Sequence, residues 1–386
     1  MLDVNEKYEV IIVGGDHHNG LGLARIFGIN GIVVHSVVVS DNGKSFLEKS
    51  KYVDDCYVYL DEKRAFDKII ERFGATRNRM FIIPYSDAAA LELDSRLNEF
   101  SGFMVPSING QQGKISELMD KSKQYVFAKE NSIRMAETIT YYFDADNDIS
   151  NMVFPCIVKP VISAEGDKRD IVICDTRDRL ETELTKLKDK HYERVLIQEY
   201  LEIDYEIDVF GCILRQKPFI CQIPTKTLRA WPAKGGTNSY SQILTDKEIV
   251  LKCESIIKCL EKIGFYGLYD IELFVVGDDI ILNEINFRNS GDVYMGISQG
   301  YFYPFAWTED YVGHSTGIVS NPQKDCFTMT ECADVRNVLI KNIKFRQWMK
   351  DYCKCEDYAL RFKGDNAPAF NRYLYYVKQM IKGKRL

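Results

Sequence analysis

Two carboxylates and an amide within residues 269–288 have the types and spacing of a magnesium site. Apolar runs on both sides of the segment 277–279 predict a β-hairpin with a three-residue loop. Because side chains alternate along a strand, that loop places Glu272 opposite Glu284, with Asn286 on the same face as Glu284. Like charges opposite each other destabilise a sheet, and a divalent cation removes the repulsion. Oxygen ligands of this kind suit Mg²⁺ that also binds phosphate, so the hairpin predicts a nucleotide site.

The same face of the predicted hairpin carries two further charged residues. The register places Asp270 opposite Asn286, and Arg288 follows Asn286 on the face of Glu284. The alternative interpretation is an ordinary solvated hairpin. The presence of the cation Arg288 on the same face argues against it. A loop one residue shorter would turn over every side chain of the second strand, so the prediction depends on loop length.

Strand and helix patterns alternate through the first part of the chain and predict a parallel α/β sheet. The apolar runs are 8–13, 31–39, 56–60 and 80–84, and the helical segments between and after them include 62–73 and 87–99. We expect a small doubly wound domain that ends near residue 115, just after the glycine-flanked segment 110–113.

The glycine-rich turn 14–22 allows two interpretations. Asp41 follows the second strand where a dinucleotide-binding fold places its ribose acid, but Arg25 occupies the place of the third glycine of that motif. The other interpretation is that His17 and His18 lie at the carboxyl edge of the sheet, where open α/β sheets bind ligands.

Two lysines have positions that suit a phosphate clamp. Lys159 ends the apolar run 154–160, and Lys121 lies in the predicted helical segment 114–137. A lysine within apolar sequence is costly unless it meets an anion, although snorkelling surface lysines are the alternative. The turn that begins at Ser163 suits a mobile flap over the phosphates.

The apolar strand 195–201 ends in a segment that suits a nucleoside. Backbone groups of Glu199, Tyr200 and Leu201 can pair with a purine edge, and the Glu206 carboxylate can accept two ribose hydroxyls. The position of this segment between the lysines and the carboxylate hairpin favours a single nucleotide cleft.

Taken in chain order, these motifs resemble the ATP-grasp superfamily. The segments that carry the resemblance are Asp120-Lys121, Val158-Lys159-Pro160, Gln198-Glu199-Tyr200-Leu201 with Glu206, Asp270-Ile271-Glu272 and Glu284-Ile285-Asn286-Phe287-Arg288. The resemblance implies an α/β (α+β ATP-grasp) protein with an N-terminal Rossmann-like pre-ATP-grasp domain at 1–115. It implies a two-subdomain ATP-grasp fold at 116–310, with a flap subdomain at 120–200 and a metal-carboxylate subdomain at 201–310. Residues 311–386 would be a C-terminal extension that completes the ATP-grasp half.

The resemblance also implies an activity, that of an ATP-dependent carboxylate-amine ligase. In such enzymes ATP phosphorylates a carboxylate and an amine attacks the acylphosphate, which requires mostly positioning and electrostatic stabilisation. The family roles place Lys121, Lys159 and the Ser163 flap on phosphates, Glu199, Tyr200 and Leu201 at the adenine, Glu206 on the ribose, Glu272, Glu284 and Asn286 on Mg²⁺, and Arg288 on the developing acylphosphate charge. The flap departs from the family pattern, because Gly166 is its single glycine.

The segment 226–237 predicts a substrate loop, in which Arg229 grips a carboxylate bidentately. We therefore expect an amino acid or small carboxylate as substrate. The tail segments 358–362 and 365–370 resemble the end of D-aspartate ligase-type enzymes, which build bacterial cell-envelope material. The ATP-binding half is also similar to ATP-grasp enzymes of the carbamoyl phosphate synthase type.

Composition limits the class of protein. The chain has 386 residues, 46% of them hydrophobic, and a net charge of −6 that argues against nucleic acid as the main partner. Its eleven cysteines form no C-x-x-C pair, and the first residues lack a signal-peptide pattern, so we expect a cytosolic enzyme. The closing helix 371–386 has apolar residues at helical spacing among lysines, which leaves membrane-surface contact as an alternative to packing on the domain.

Two other functional classes stay open. A non-catalytic nucleotide-binding module would keep the fold, although such a sensor needs no second metal carboxylate. A nicotinamide-dependent oxidoreductase would depend on the segment 20–41 alone.

Overall fold

The computed structural model of the protein describes residues 7–161, 170–215, 220–233, 236–314 and 324–381. In this part of the chain the strands form three sheets, two of four strands and one of eight. The strands are β1 Glu9–Gly15, β2 Val34–Val39, β3 Asp55–Tyr59, β4 Met80–Pro84, β5 Ser107–Ile108, β6 Thr138–Tyr142, β7 Cys156–Pro160, β8 Val172–Cys174, β9 Arg194–Glu199, β10 Tyr205–Ile213, β11 Ile220–Trp231, β12 Thr237–Ile243, β13 Phe265–Val276, β14 Asp279–Asn286, β15 Cys326–Met329 and β16 Cys355–Tyr358. The α-helices are α1 His18–Ile29, α2 Glu62–Phe73, α3 Asp87–Ser95, α4 Lys114–Leu118, α5 Lys121–Glu130, α6 Arg177–Asp189, α7 Lys247–Lys262, α8 Tyr303–Val312, α9 Glu331–Leu339, α10 Phe345–Lys354 and α11 Ala367–Ile381.

The first sheet has the order β3-β2-β1-β4 and is parallel throughout, as the sequence predicts. Val10 and Ile12 of β1 pack into one core, and Ile11 and Val13 pack into another on the opposite face. Both faces are therefore covered, which explains the continuous apolar run. The helix predicted at 87–99 ends earlier, because a 3₁₀ turn replaces its last residues.

The central sheet has the order β14-β13-β10-β11-β12-β15-β16, and β5 also pairs with β13. Helix α7 covers one face with Cys253, Ile256 and Leu260, which pack with Ile271 and other odd-numbered residues of β13. Because side chains alternate, the even-numbered residues of β13 face the opposite side, where the candidate site lies. The strands β15 and β16, which lie in the predicted C-terminal extension, join this sheet.

The third sheet has the order β6-β9-β7-β8 and is antiparallel. Helix α6 covers it with Leu180, Leu184 and Leu187, one face of the helix, which pack on Val158 and Ile197. The strands of the first sheet lie within residues 9–84, those of the third sheet lie within residues 138–199, and the other described strands belong to the central sheet. The boundaries near residues 115 and 310 remain predictions.

Two elements differ from the sequence predictions. The helix predicted at 114–137 is two helices, because the Asp120 side chain accepts hydrogen bonds from the backbone of Ser122 and Lys123 and starts α5 afresh. Much of the loop predicted at 226–237 is strand instead, since β11 continues to Trp231 and β12 begins at Thr237. Among the described helices, none combines the length and apolar character needed to cross a bilayer.

Candidate active site

The hairpin of β13 and β14 has the predicted pairing of residues, but its loop differs from the predicted one. Its loop has two residues, since Val276 pairs with Asp279, and Gly277 has the positive φ of +59° that suits the first position of a tight hairpin turn. With this loop alone the glutamates would fall out of register. A β-bulge at Asn283 adds one residue to β14 and restores the pairing of Glu272 with Glu284. The predicted pairs are confirmed, and the predicted loop length is wrong.

The three predicted metal ligands lie together on this hairpin. Asn283 donates a hydrogen bond of 3.0 Å from Nδ2 to Glu272 Oε2. Burial, and then the charges of Glu284 and Asp270, raise the pKa of Glu272 to about 7. Asn286 is buried, and its Nδ2 has no hydrogen-bond partner among the described residues.

This donor set fits a hard divalent cation that shares its remaining positions with nucleotide oxygens. Within the described ranges, no group of three or more His, Cys, Asp and Glu side chains is arranged around a metal position. A cation here would therefore depend on Glu272, Glu284, the Asn286 amide and oxygens from outside the protein.

The two predicted phosphate lysines lie beside these carboxylates. Lys121, at the start of α5, places Nζ 2.9 Å from Glu284 Oε2. Lys159, at the end of β7, is buried, and desolvation followed by repulsion from Lys121 lowers its pKa to about 8. Two neighbouring buried ammonium groups create a strong preference for a bound anion.

Three polar residues of the site were not predicted from the sequence. Asp208 of β10 pairs across the sheet with Glu272, and burial raises its pKa well above the usual range. Asn238 of β12 donates hydrogen bonds to Asp208 and, at 3.0 Å, to Asp292 Oδ2. Burial also raises the pKa of Asp292 to about 7. The alternation of Glu206 and Asp208 could have indicated a polar face, but not which strand lies beside it.

Arg288 lies at the same end of the hairpin, between two carboxylates. Its Nε donates to Asp87 Oδ1 at 2.8 Å, and its Nη1 donates to Asp270 Oδ2. Asp87 begins α3 in the first part of the chain, so this ion pair joins that part of the chain to the carboxylate hairpin. These contacts hold the guanidinium in a fixed orientation.

Arg229 belongs to a different cluster. Its Nε and Nη2 donate to the two oxygens of Asp334 at 3.0 and 2.7 Å, and its Nη1 donates to Asp351 Oδ2 at 2.7 Å. The guanidinium also lies 4.4 Å from the centre of the Tyr240 ring. The bidentate grip that the sequence predicts therefore exists, but its partner is a carboxylate of the same chain.

The residues predicted to bind the nucleoside lie where the chain passes from the third sheet to the central sheet. Glu199 is exposed at the end of β9, and its backbone N–H donates to Glu137 O at 2.9 Å. Tyr200 and Leu201 follow it and are half-buried. Glu206 lies on β10, and burial raises the pKa of its carboxyl group. Ser163 and the predicted flap lie outside the described residues, and the roles of all four described residues remain predictions.

The two histidines lie at the carboxyl edge of the first sheet, as predicted. The side chain of His17 caps α1 by accepting a hydrogen bond from Asn19 N, and its ring lies 3.8 Å from that of His18. His17 is exposed to solvent, yet desolvation by the surrounding protein and then the charges of Arg372 and Arg288 lower its pKa to about 4. The pair is therefore neutral near pH 7, and contact with a substrate remains a prediction.

The glycines of the same region serve packing. Gly20 and Gly22 lie inside α1 and not in a turn. A Cβ at Gly20 would lie 2.6 Å from Leu47 Cδ2, and one at Gly22 would lie 2.5 Å from Val293 Cγ1. The glycine pattern behind the oxidoreductase hypothesis is thus explained by close helix packing.

Comparison with known proteins agrees with this geometry. Residues 127–299 match the family model of the ATP-grasp domain. The structure is similar to N5-carboxyaminoimidazole synthetase from Staphylococcus aureus, with a TM-score of 0.65 and 14% identity, covering 90% of this chain and 88% of that one. It is also similar to an L-amino acid ligase from Bacillus licheniformis, with a TM-score of 0.63 and 12% identity, covering 84% and 80%. Residues 127–299 therefore match an ATP-grasp domain, and the fold of the chain is similar to that of these solved structures.

Curated relatives match in sequence as well. The formate-dependent phosphoribosylglycinamide formyltransferase of Wolinella succinogenes is 22% identical over 242 residues, which are 60% of this chain and 58% of that protein. The enzyme of the same name from Yersinia pestis (strain Pestoides F) is 24% identical over 228 residues. The chain spans 55 to 58% of the length of these relatives.

Proposed function

We propose that the protein is an ATP-dependent carboxylate-amine ligase that forms an amide or peptide bond through an acylphosphate. The observation that carries the proposal is the bulged hairpin, which brings Glu272, Glu284 and Asn286 together beside two buried lysines. A purely structural hairpin would not need a bulge that restores two glutamates to opposite positions.

The residues of the site have different roles in such a reaction. Lys121 and Lys159 hold the phosphates of ATP through charge-assisted hydrogen bonds. Bound Mg²⁺ would neutralise charge on the transferred phosphoryl group, and Glu272, Glu284 and Asn286 would hold it. Arg288, fixed in advance by Asp87 and Asp270, stabilises the negative charge that develops on the acylphosphate.

The proposed substrate class rests on the similar proteins. An amino acid or small carboxylate is the proposed acid, since the similar proteins include a formate-dependent enzyme and an L-amino acid ligase. The resemblance of the tail to D-aspartate ligases supports cell-envelope biosynthesis as the setting.

Two alternatives make different predictions for the same assay. A non-catalytic nucleotide-binding module binds ATP without releasing ADP when an acid and an amine are added. A nicotinamide-dependent oxidoreductase transfers hydride, and the packing role of Gly20 and Gly22 removes the main support for that class.

The test is to incubate the protein with ATP, MgCl₂ and a panel of small acids and amino acids that includes D-aspartate, with hydroxylamine as a trap. An acylphosphate reacts with hydroxylamine to give a hydroxamate, so we expect ADP and hydroxamate in equal amounts with the correct acid. Binding of ATP without acid-dependent ADP release across the panel would support the non-catalytic module instead.

A matched pair of variants shows whether the activity comes from this site or from a contaminating enzyme. Glu284→Gln keeps the shape of a metal ligand and removes its charge, whereas Glu99→Gln changes an exposed glutamate on the surface. Hydroxamate formation should disappear in the first variant and stay unchanged in the second.

A further inference from the structure

Helices α9, α10 and α11 leave an apolar groove open to solvent at the C-terminal end of the molecule. The groove has a volume of about 340 Å³. The residues that line it include Leu339, Trp348, Tyr352, Tyr373, Tyr376 and Val377. Tryptophan and tyrosine are the side chains that favour the boundary between water and lipid.

Large apolar side chains around the groove continue the same surface. Leu339, Ile340, Phe345, Phe370, Leu374 and Val377 are between 42% and 66% exposed. Phe370, Leu374 and Val377 recur at helical spacing and form one stripe along α11. Such a cluster is larger than the scattered apolar residues that soluble surfaces normally expose, so it indicates a contact surface.

The charge of this region is opposite to that of the whole chain. Residues 336–381 contain ten Lys and Arg and four Asp and Glu, although the net charge of the protein is −6. The exposed cations of α10, of α11 and of the segment between α9 and α10 include Lys341, Lys344, Arg346, Lys350 and Lys378. In the part of the chain that the structure describes, none of these five has a carboxylate within ion-pairing distance.

We propose that this surface, formed by α9, α10 and α11, docks the protein on an anionic phospholipid bilayer. The apolar stripe and groove enter the interfacial region, and the surrounding lysines pair with lipid phosphates. A second copy of the chain fits less well, because a two-fold contact would place the same unpaired cations against each other. The proposal does not depend on the ligase chemistry.

The test is co-sedimentation of the full chain with two kinds of vesicle, phosphatidylcholine alone and an equal mixture of phosphatidylcholine and phosphatidylglycerol. We expect binding to the mixed vesicles that weakens as salt is raised, and much weaker binding to phosphatidylcholine. The double variant Phe370→Ser/Leu374→Ser should weaken the partition more than tenfold, since it removes the most exposed apolar stripe. Leu251→Ser, at an equally exposed leucine of α7, is the matched control and should bind normally.

Charge variants test the second half of the proposal. Lys350→Gln and Lys378→Gln should each weaken binding to mixed vesicles about fivefold. Lys188→Gln, an exposed lysine of α6, should not. Light scattering over a range of protein concentrations tests for self-association. Failure to bind mixed vesicles, equal effects of the control variants, or a dimer that Phe370→Ser/Leu374→Ser dissociates would each overturn the proposal.

Discussion

Two arginines of the central sheet are each held by two carboxylates, but their surroundings differ. Arg229 pairs with Asp334 and Asp351, and Ser239 donates a further hydrogen bond of 2.7 Å to Asp334 Oδ1. Arg288 pairs with Asp87 and Asp270, and its charge also acts on two further acids, Glu272 and Asp292.

The pKa shifts show the consequence of this difference. Burial, together with the charge of Asp270, raises the pKa of both Glu272 and Asp292 to about 7, and burial lowers the pKa of Lys159 to about 8. A cluster in which acids and bases are both destabilised in their charged forms is electrostatically incomplete. We infer that the Arg288 cluster is organised to bind charged ligands, whereas the Arg229 cluster joins β11 to α9 and α10.

The largest expected difference between the clusters concerns their acids. Glu284→Gln removes a charged metal ligand, and we expect turnover to fall by more than about a thousandfold. Mutation of a residue that only hydrogen-bonds to a metal ligand already lowers metal affinity or activity about 10- to 100-fold. Asp351→Asn, the corresponding change in the Arg229 cluster, should keep turnover and lower the melting temperature. The measurement is Mg²⁺-dependent ADP release at saturating ATP. Normal release by Glu284→Gln would contradict the metal assignment.

The arginines themselves are the next comparison. Arg288→Lys keeps the charge and loses the planar fork, so we expect kcat to fall by two to three orders of magnitude, about 2.7 to 4 kcal/mol, with little change in the KM for ATP. Arg229→Lys should leave kcat nearly unchanged. If Arg288→Lys raises only the KM of the carboxylate substrate, Arg288 anchors that substrate.

Removing the Arg229 side chain tests the structural role directly. Arg229→Met leaves the fully buried Asp334 carboxylate unpaired, so we expect the free energy of unfolding to fall by about 3 kcal/mol. Urea denaturation measures this change. Unchanged stability together with lost turnover would instead place Arg229 in the catalytic machinery.

The smallest predicted effect concerns Lys159 and pH. Lys159→Met should weaken ATP binding by about 1.5 to 3 kcal/mol, the value of a hydrogen bond to a charged group. The pKa of Lys159 is about 8, so the cation that attracts phosphate is present below that pH and is lost above it. ATP affinity should therefore fall as pH rises past about 8, by at most about tenfold per pH unit.

Calorimetry across this pH range provides the check. Lys159→Arg stays charged and should give a flat profile over the same range. A wild-type affinity that does not change between neutral and alkaline pH would show that Lys159 makes no ionic contact with ATP.

Much of the site could be predicted because it depends on local periodicity. Alternation along a strand places Asp270 and Glu272 on one face, and the apolar partners Ile271 and Leu273 on the other, whatever the rest of the fold. The continuous apolar run 154–160 likewise placed Lys159 at the end of a buried strand. The pairing of Glu272 with Glu284 came out correctly although the loop is shorter than predicted, because a bulge compensates for it.

The amino-acid sequence by itself determined the elements, the polar face of the hairpin and the resemblance to the ATP-grasp family. Only the tertiary structure decided which charges meet: Arg288 with Asp87, 201 residues apart, and Arg229 with Asp334, 105 residues apart. Local propensities act over a few residues, whereas the partner of a buried charge depends on how the sheets and helices pack. For that reason the two arginines looked alike in sequence and differ in the folded protein.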